Sequence, residues 1–361
     1  MIATDFSKRL GLRLPLVQAP MAGGPSSPEL VAAASAAGAL GSFGFAYTQP
    51  EEMKRQVAWV RAKTDRPLGI NLFVSDLPAA IDAGAQRGAL RAVAGYYAEL
   101  GLPAPSPVSE PYAPDLEAQL AAVEELRPKV FTVHLGSLPA ARVRKLKGLG
   151  IAVGGSATCV AEARGLESLG FDFVIAQGGE AGGHRGTYLR DPQDALTGTL
   201  ALTRLVVRSV KLPVVAAGGI MDGAGIAAVL ALGAQAAQLG TAFLACPESG
   251  AAEVHKKMLL SSPEDQTRIT DKFSGKPARG LANRFMKEMQ GAPMLAFPAQ
   301  NKVTSALRAA SAKAGKPDFV SMWAGQAAPL ARSLSAAELI AKLEAETIEA
   351  VRNLKGVIHE S

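Results

Sequence analysis

Hydrophobic positions in this chain cluster in short runs, and the runs recur. Eight of them, Leu16–Ala19, Leu40–Ser42, Leu68–Leu72, Val130–Val133, Ile151–Gly154, Phe173–Ala176, Val214–Ala217 and Ala236–Leu239, are flanked by Gly, Pro, Asn or Asp. Short apolar runs without alternation predict strands buried on both faces, the habit of parallel sheets. Between most of them lie Ala-rich stretches with helical periodicity, such as Pro28–Ala37 and Ala161–Leu169. Strand and helix alternating eight times predicts an α/β fold, a (β/α)8 TIM barrel. An open doubly wound sheet has the same repeat, because the count alone does not close a barrel.

Two connections are long, residues 73–129 with a Pro-rich stretch at 102–114, and residues 185–213. Residues 1–247 therefore read as the barrel. Residues 248–361 read as a helical cap over its mouth that returns to it, one continuous unit with the barrel. The last predicted helix, Ala336–Leu354, carries Arg352 near its end and Lys355 just beyond, where cations complement the helix dipole.

Composition narrows the function classes. The chain has 361 residues, 48% hydrophobic and 19% charged, ample for one large barrel. The net charge of +6 comes from scattered Lys and Arg. The densest runs, 142–147 and 255–257, lack the interleaved aromatics of a nucleic-acid platform, so no nucleic-acid partner is expected, only a modest pull on small anions. Cys159 and Cys246 form neither CxxC nor a metal spacing, which predicts no metal and a reducing cytoplasm. Met1–Leu14 lacks the apolar core of a leader. Ile226–Cys246 is uncharged and long enough to span a bilayer. However, Gly233, Gln235, Gln238 and Gly240 and a change of period make it a helix followed by a strand, so no membrane partner is expected.

In such barrels the chemistry sits at the C-terminal strand ends. After strands seven and eight come Ala217-Gly218-Gly219-Ile220 and Gln238-Leu239-Gly240-Thr241. Glycines there let backbone N–H groups approach a phosphate; two ordinary tight turns are the alternative. Asn71 and Gln177 end strands three and six, and their carboxamides suit the amide-like edge of a flat ring system or, equally, backbone capping. Half of Gln177–Gly186 is glycine, more than a turn needs, and the stretch presents His184. Arg185 would depress the pKa of His184 if buried beside it, or face solvent. Glu180 would tie the loop or react. His134 either lines the pocket or is a satisfied strand-end residue. His255 and His359 read as exposed and uninvolved.

Taken together, Gln18-Ala19-Pro20-Met21-Ala22-Gly23-Gly24, Gly69-Ile70-Asn71-Leu72-Phe73, Glu180-Ala181-Gly182-Gly183-His184-Arg185-Gly186, Ala216-Ala217-Gly218-Gly219-Ile220, Gln238-Leu239-Gly240-Thr241-Ala242-Phe243 and Met322-Trp323-Ala324-Gly325-Gln326 resemble the nitronate monooxygenase family, in the class acting on propionate 3-nitronate. The resemblance implies FMN bound without a covalent link, with Ala22, Gly23, Gly24, Asn71, Gln177, Gly182, Gly219, Gln238, Leu239, Gly240 and Thr241 matching FMN contacts. It makes His184 the catalytic histidine and His134 a second pocket residue. Some members have tyrosines where this chain has residues 295–302, so Phe297 or Lys302 would line the pocket here. The implied activity is FMN-dependent oxidation of propionate 3-nitronate, other alkyl nitronates or nitroalkanes with O2, giving aldehydes or ketones plus nitrite or nitrate. A protonated His184 would attract a nitronate, and a neutral one would remove the α-proton of a nitroalkane. Two rivals share the scaffold. One is an NAD(P)H-dependent flavin reductase for quinones or enoyl-thioesters, although no GxGxxG follows a strand. The other is a non-catalytic phospholigand-binding barrel, which leaves His134 and His184 without a task. The sequence leaves the oligomeric state open.

Overall fold

The computed structural model describes residues 2–75 and 81–356; His359 lies outside them. Eight parallel strands, β1 (Leu16–Gln18), β2 (Gly41–Gly44), β3 (Leu68–Phe73), β4 (Val130–His134), β5 (Ala152–Ala157), β6 (Phe173–Gln177), β8 (Val214–Ala217) and β9 (Ala236–Leu239), form one sheet, with a two-residue strand β7 (Gly183–His184) set apart from it. The order β1-β9-β8-β6-β5-β4-β3-β2 is completed by a parallel bridge from Val17 to Leu40, so the sheet closes as a (β/α)8 barrel. All eight predicted strands are present. Ile151–Gly154 is displaced to Ala152–Ala157, because Ser156 and Ala157 still pair with β6. Residues 226–246 resolve into the end of a helix, Gly223–Ala231, and strand β9. Among the described residues no helix is long and apolar enough to cross a membrane.

One end of the barrel is plugged. The helix Asp5–Leu10 lays Phe6 and Leu10 into a core with Val17, Leu40, Phe173 and Ile175, and Phe6 meets Phe173 edge to face at 5.1 Å. Burying a side chain of this size stabilises by roughly 1.5–3 kcal/mol. The first strand begins after this plug, so polar strand ends gather at the opposite mouth.

The region after residue 247 departs from the all-helical cap expected from sequence. It contains β10 (Thr267–Thr270) and β11 (Ala278–Leu281), which pair antiparallel with each other, and β11 also pairs with β7. Arg268, Lys276 and Arg279 interrupt the alternation that marks a strand, and the partners of β7 lie about ninety residues away, as Ala278 opposite His184 shows. No local pattern carries that pairing. The final helix, Ala336–Lys355, does not sit over the mouth. Its stripe Ala336, Leu339, Ile340, Leu343 and Thr347 is buried against the helices Gly223–Ala231 and Pro28–Ala36, and it thereby completes the outer ring. The lid proper is residues 248–330.

Candidate active site

The strand ends and the lid enclose a cavity of about 400 Å3, within the range of small-molecule sites. Ala22, Gly23, Asn71, Gln177, Gly182, Gly219, Gln238, Gly240 and Thr241 line it, together with His134 and His184. Gly24 and Leu239 stand just behind: Gly24 lies against the Gly250 carbonyl, and the Leu239 side chain is in the core. The wall at β8 is backbone. Gly218 and Gly219 have φ of 119° and 69°, a region L side chains rarely adopt. A Cβ on Gly218 would also meet Thr199 Oγ1 at 2.7 Å. Thr241 Oγ1 accepts from Gly325 N–H at 2.9 Å, which leaves its own proton for a ligand.

The glycine-rich stretch is held from beneath. Arg185 is fully buried, and its guanidinium donates to the carbonyls of Gly178, Gln177 and Ala195 at 2.8–3.0 Å. Arg279 donates to Gly179 O from the lid. Glu180 accepts from Thr199 N–H at 2.7 Å, so it ties the loop. Gln177 Nε2 donates to His184 O at 3.0 Å while its Oε1 accepts from Gly186 N–H at 2.7 Å; its carboxamide secures the loop rather than projecting freely. Asn71 Nδ2 donates to Thr132 O and Oγ1, which leaves Oδ1 available. Glu162, which the sequence reading passed over, is buried and accepts from Thr158 N–H, Thr187 Oγ1 and the N–H groups of Tyr188 and Leu189. Burial raises its pKa, but these hydrogen bonds outweigh it, and the carboxyl stays below its ordinary range.

The two imidazoles have different tasks. His134 Nε2 is 3.1 Å from His184 O, a pure acceptor, so that nitrogen carries the proton. Nδ1 then accepts from Ser156 Oγ at 2.8 Å. Both nitrogens of His134 are used, and the residue holds the His184 backbone. His184 Nε2 meets Ser274 Oγ at 2.9 Å, and that hydroxyl donates to Lys276 O. A hydroxyl has one proton, so His184 Nε2–H is the donor and Nδ1 is the basic atom; Nδ1 has no hydrogen-bond partner among the described residues. His184 packs against Phe73, Phe297 and Trp323, with ring centroids 5.6–5.7 Å apart.

Burial, followed by His134, Lys276 and Arg308, lowers the His184 pKa to about 3. Without a ligand the imidazole is therefore neutral, the form expected to take a proton from a nitroalkane. Arg185 is not among those cations; burial lowers the His134 pKa to about 4, and Arg185 adds to that shift. Three further placements differ from the sequence reading. Phe297 packs on His184 and Phe73 behind the cavity surface. Lys302 is exposed on the outer face of the helix Ala299–Lys313, its Nζ on Ser109 O, and so lies outside the pocket; Asn301 and Arg308 of that helix line it instead. His255 is buried and lines the cavity. Its two following lysines made the helix look wholly solvated.

Two buried polar atoms on residues lining this cavity, Tyr47 Oη and His255 Nε2, have no hydrogen-bond partner among the described residues. Tyr47 Oη is an unmet donor, whereas His255 gives its ring proton to the Trp323 backbone and leaves Nε2 as an unmet acceptor. Such buried atoms are costly, and a bound polar ligand would satisfy them. No Asp or Glu is among the described residues lining the cavity. Glycine-rich backbone, the unmet Tyr47 donor and nearby cations together fit an anionic, phosphate-bearing group such as FMN.

A family model described as nitronate monooxygenase matches residues 6–346. A nitronate monooxygenase of Paraburkholderia phytofirmans is 42% identical over 351 residues, covering 96% of this chain and 95% of the relative. One of Pseudomonas aeruginosa is 43% identical over 346 residues, covering 94% and 98%. Among solved structures, a nitroalkane oxidase from Streptomyces ansochromogenes superposes with a TM-score of 0.89 at 40% identity, covering 96% of this chain and 99% of that one.

Proposed function

The chain belongs to the nitronate monooxygenase family and is an oxidoreductase acting on nitronates or nitroalkanes, and on that premise we propose that it is an FMN-dependent monooxygenase of propionate 3-nitronate and related alkyl nitronates. O2 is the oxidant, and an aldehyde or ketone plus nitrite or nitrate are the products. The relatives lend no support to a reductase or to a non-catalytic barrel. The observation that carries the reading is the neutral His184 imidazole, with basic Nδ1, in a cavity whose described lining holds no carboxylate and which Lys276 and Arg308 flank. Buried free thiols at Cys159 and Cys246 suit the cytoplasm.

FMN, when bound, supplies the acceptor that takes the electrons of the nitronate and hands them to O2. Gly219, Gly240 and Thr241 would hold its phosphate, Ala22, Gly23, Gly182 and Gln238 its middle, and Asn71 Oδ1 and Gln177 would border its ring. The protein's own share is proton management. With a neutral nitroalkane, His184 Nδ1 accepts the α-proton, and Ser274 stabilises the imidazolium through Nε2–H. A nitronate has already lost that proton. Its negative charge raises the proton affinity of His184, so it binds with uptake of a proton. Activity on nitronate therefore falls as pH rises, and activity on nitroalkane rises. Phe73, Phe297 and Trp323 keep water from the reacting end.

The test is the absorption spectrum of the purified protein, followed by anaerobic addition of propionate 3-nitronate. A flavin spectrum that bleaches with nitronate and returns with O2 is expected. A colourless protein, or bleaching by NADH and not by nitronate, overturns the proposal.

A further inference from the structure

Arg308 is a cation with no counter-charge among the described residues, set against the cavity. Its Nε donates to Thr304 Oγ1 at 3.1 Å, one terminal nitrogen donates to Ser321 Oγ at 3.3 Å, and the other donates to Asn301 O and Oδ1 at 2.9 and 2.7 Å. All four acceptors are neutral. A guanidinium has five N–H donors, so one remains. Burial lowers its pKa, and the groups that oppose the shift are the phenols Tyr47 and Tyr97 rather than any carboxylate. A buried charge held only by neutral dipoles is a costly arrangement, and a chain tolerates it where an anion arrives to complete it. Tyr97 has its own partner, Val303 O at 2.7 Å. Tyr47 has none among the described residues: its hydroxyl is buried, and the residue lines the same cavity. Burial pushes its phenol well above the ordinary range, so it stays a donor, and Arg308 is near enough to pull the other way.

Phe73 places this pair relative to the chemistry. Its ring lies 5.6 Å from the His184 ring and 5.9 Å from the Tyr47 ring, centroid to centroid, edge to face with both. His184 and Tyr47 thus share one aromatic neighbour in the cavity wall. We infer that Arg308 and Tyr47 form a receptor for a carboxylate carried by the substrate at the end remote from its nitro or nitronate carbon. The inference rests on the proposed reading of the site and deepens it, since it makes short nitro acids, rather than simple nitroalkanes, the substrate class this protein selects. A guanidinium and a phenol offer two convergent donors to two carboxylate oxygens, and charge-assisted bonds of this kind are the strong ones. The lid supplies Arg308 and the barrel supplies Tyr47, so a bound carboxylate would also draw the two together.

The experiment compares two substrates that share a reacting group and differ in the acid. Steady-state oxidation of propionate 3-nitronate and of ethyl nitronate is measured with the wild-type holoenzyme, Arg308→Met and Tyr47→Phe. Arg308→Met is expected to raise KM for propionate 3-nitronate roughly ten- to a hundredfold, the range of one lost charge-assisted contact, and to leave KM for ethyl nitronate within about twofold. Tyr47→Phe should show the same selectivity at about three- to tenfold. Equal losses on both substrates overturn the receptor and assign Arg308 to the nitronate group or the flavin. Because Arg308 also stitches Asn301 to Ser321, its variant can fail to fold. Calorimetric titration of the wild type and Tyr47→Phe with 3-nitropropionate and with nitroethane covers that outcome. Tighter binding of the acid, weakened by Tyr47→Phe, supports the receptor, and equal binding overturns it. If neither nitronate is turned over, the proposed activity fails, and this titration still decides the receptor.

Discussion

The barrel rim and the lid build the same cavity with opposite means. The rim offers backbone: Gly182, Gly218, Gly219 and Gly240, with loop carbonyls tied down by Arg185 and with Gln177 holding His184 in place. The lid offers side chains: Ser274, Asn301, Arg308, Ser321 and Trp323. Backbone cannot be exchanged one atom at a time, so it suits a cofactor whose shape is fixed. Side chains can be, so they suit a substrate. The difference teaches that holding the cofactor and choosing the substrate are separable here. His184 stands at the seam, on a strand that pairs with the lid while its loop grows from the rim.

The largest test of that separation falls on His184. His184→Asn should lower kcat/KM on a nitroalkane by about 10^2- to 10^4-fold, the usual share of a positioned base. The flavin absorbance of the purified variant should be unchanged. Loss of flavin together with activity would place His184 among the cofactor's supports, and the two regions would then not divide as described.

On the rim, the expected effect is on stability. Glu162 is a buried carboxylate that accepts from four neighbours, and Glu162→Ala should cost about 3 kcal/mol, measured by urea unfolding at pH 7. Its folded pKa lies below the usual value, so its contribution is complete above about pH 4.5 and is lost as pH falls through the folded pKa. The wild type should therefore destabilise more steeply than the variant on acidification below pH 4.5. Parallel curves would mean that the carboxylate is not the anchor of the Tyr188 loop.

This same division governs what the sequence disclosed. The eight strands and the glycine strings are local features: each strand is a short apolar run, and Gly178 to Gly186 lie within ten residues of one another. They were legible without partners. Tyr47, Ser274 and Arg308 were not, because their value comes from what faces them. Arg308 lies on a helix where a cation ordinarily means solvent; its signal was spacing, since Asn301, Thr304 and Arg308 share one face at steps of three and four. Lys302 drew attention because it falls in the segment where some family members have tyrosines, yet it lies on the outward face of its helix. His255 was hidden by Lys256 and Lys257, although the apolar Val254 and Leu259 mark the buried face of its helix. β7 was beyond reach, being two residues long and paired with a strand that begins at Ala278.

The smallest expected effect sharpens the boundary most, because it changes one lid atom and nothing that touches substrate. Ser274→Ala removes the acceptor of His184 Nε2–H. A neutral imidazole without that acceptor distributes its proton over both nitrogens, and part of the population then presents N–H instead of a lone pair at Nδ1. Loss of one such hydrogen bond corresponds to about 1 kcal/mol, so kcat on a nitroalkane should fall about three- to tenfold with KM little changed. With a nitronate, which needs no base, kcat should hardly move, and the lost support of the imidazolium should appear in KM instead. Ser274→Thr, which keeps the hydroxyl, should restore the nitroalkane rate. A fall on both substrates alike would mean that Ser274 merely supports the loop, and the lid's part in the proton chemistry would reduce to shape.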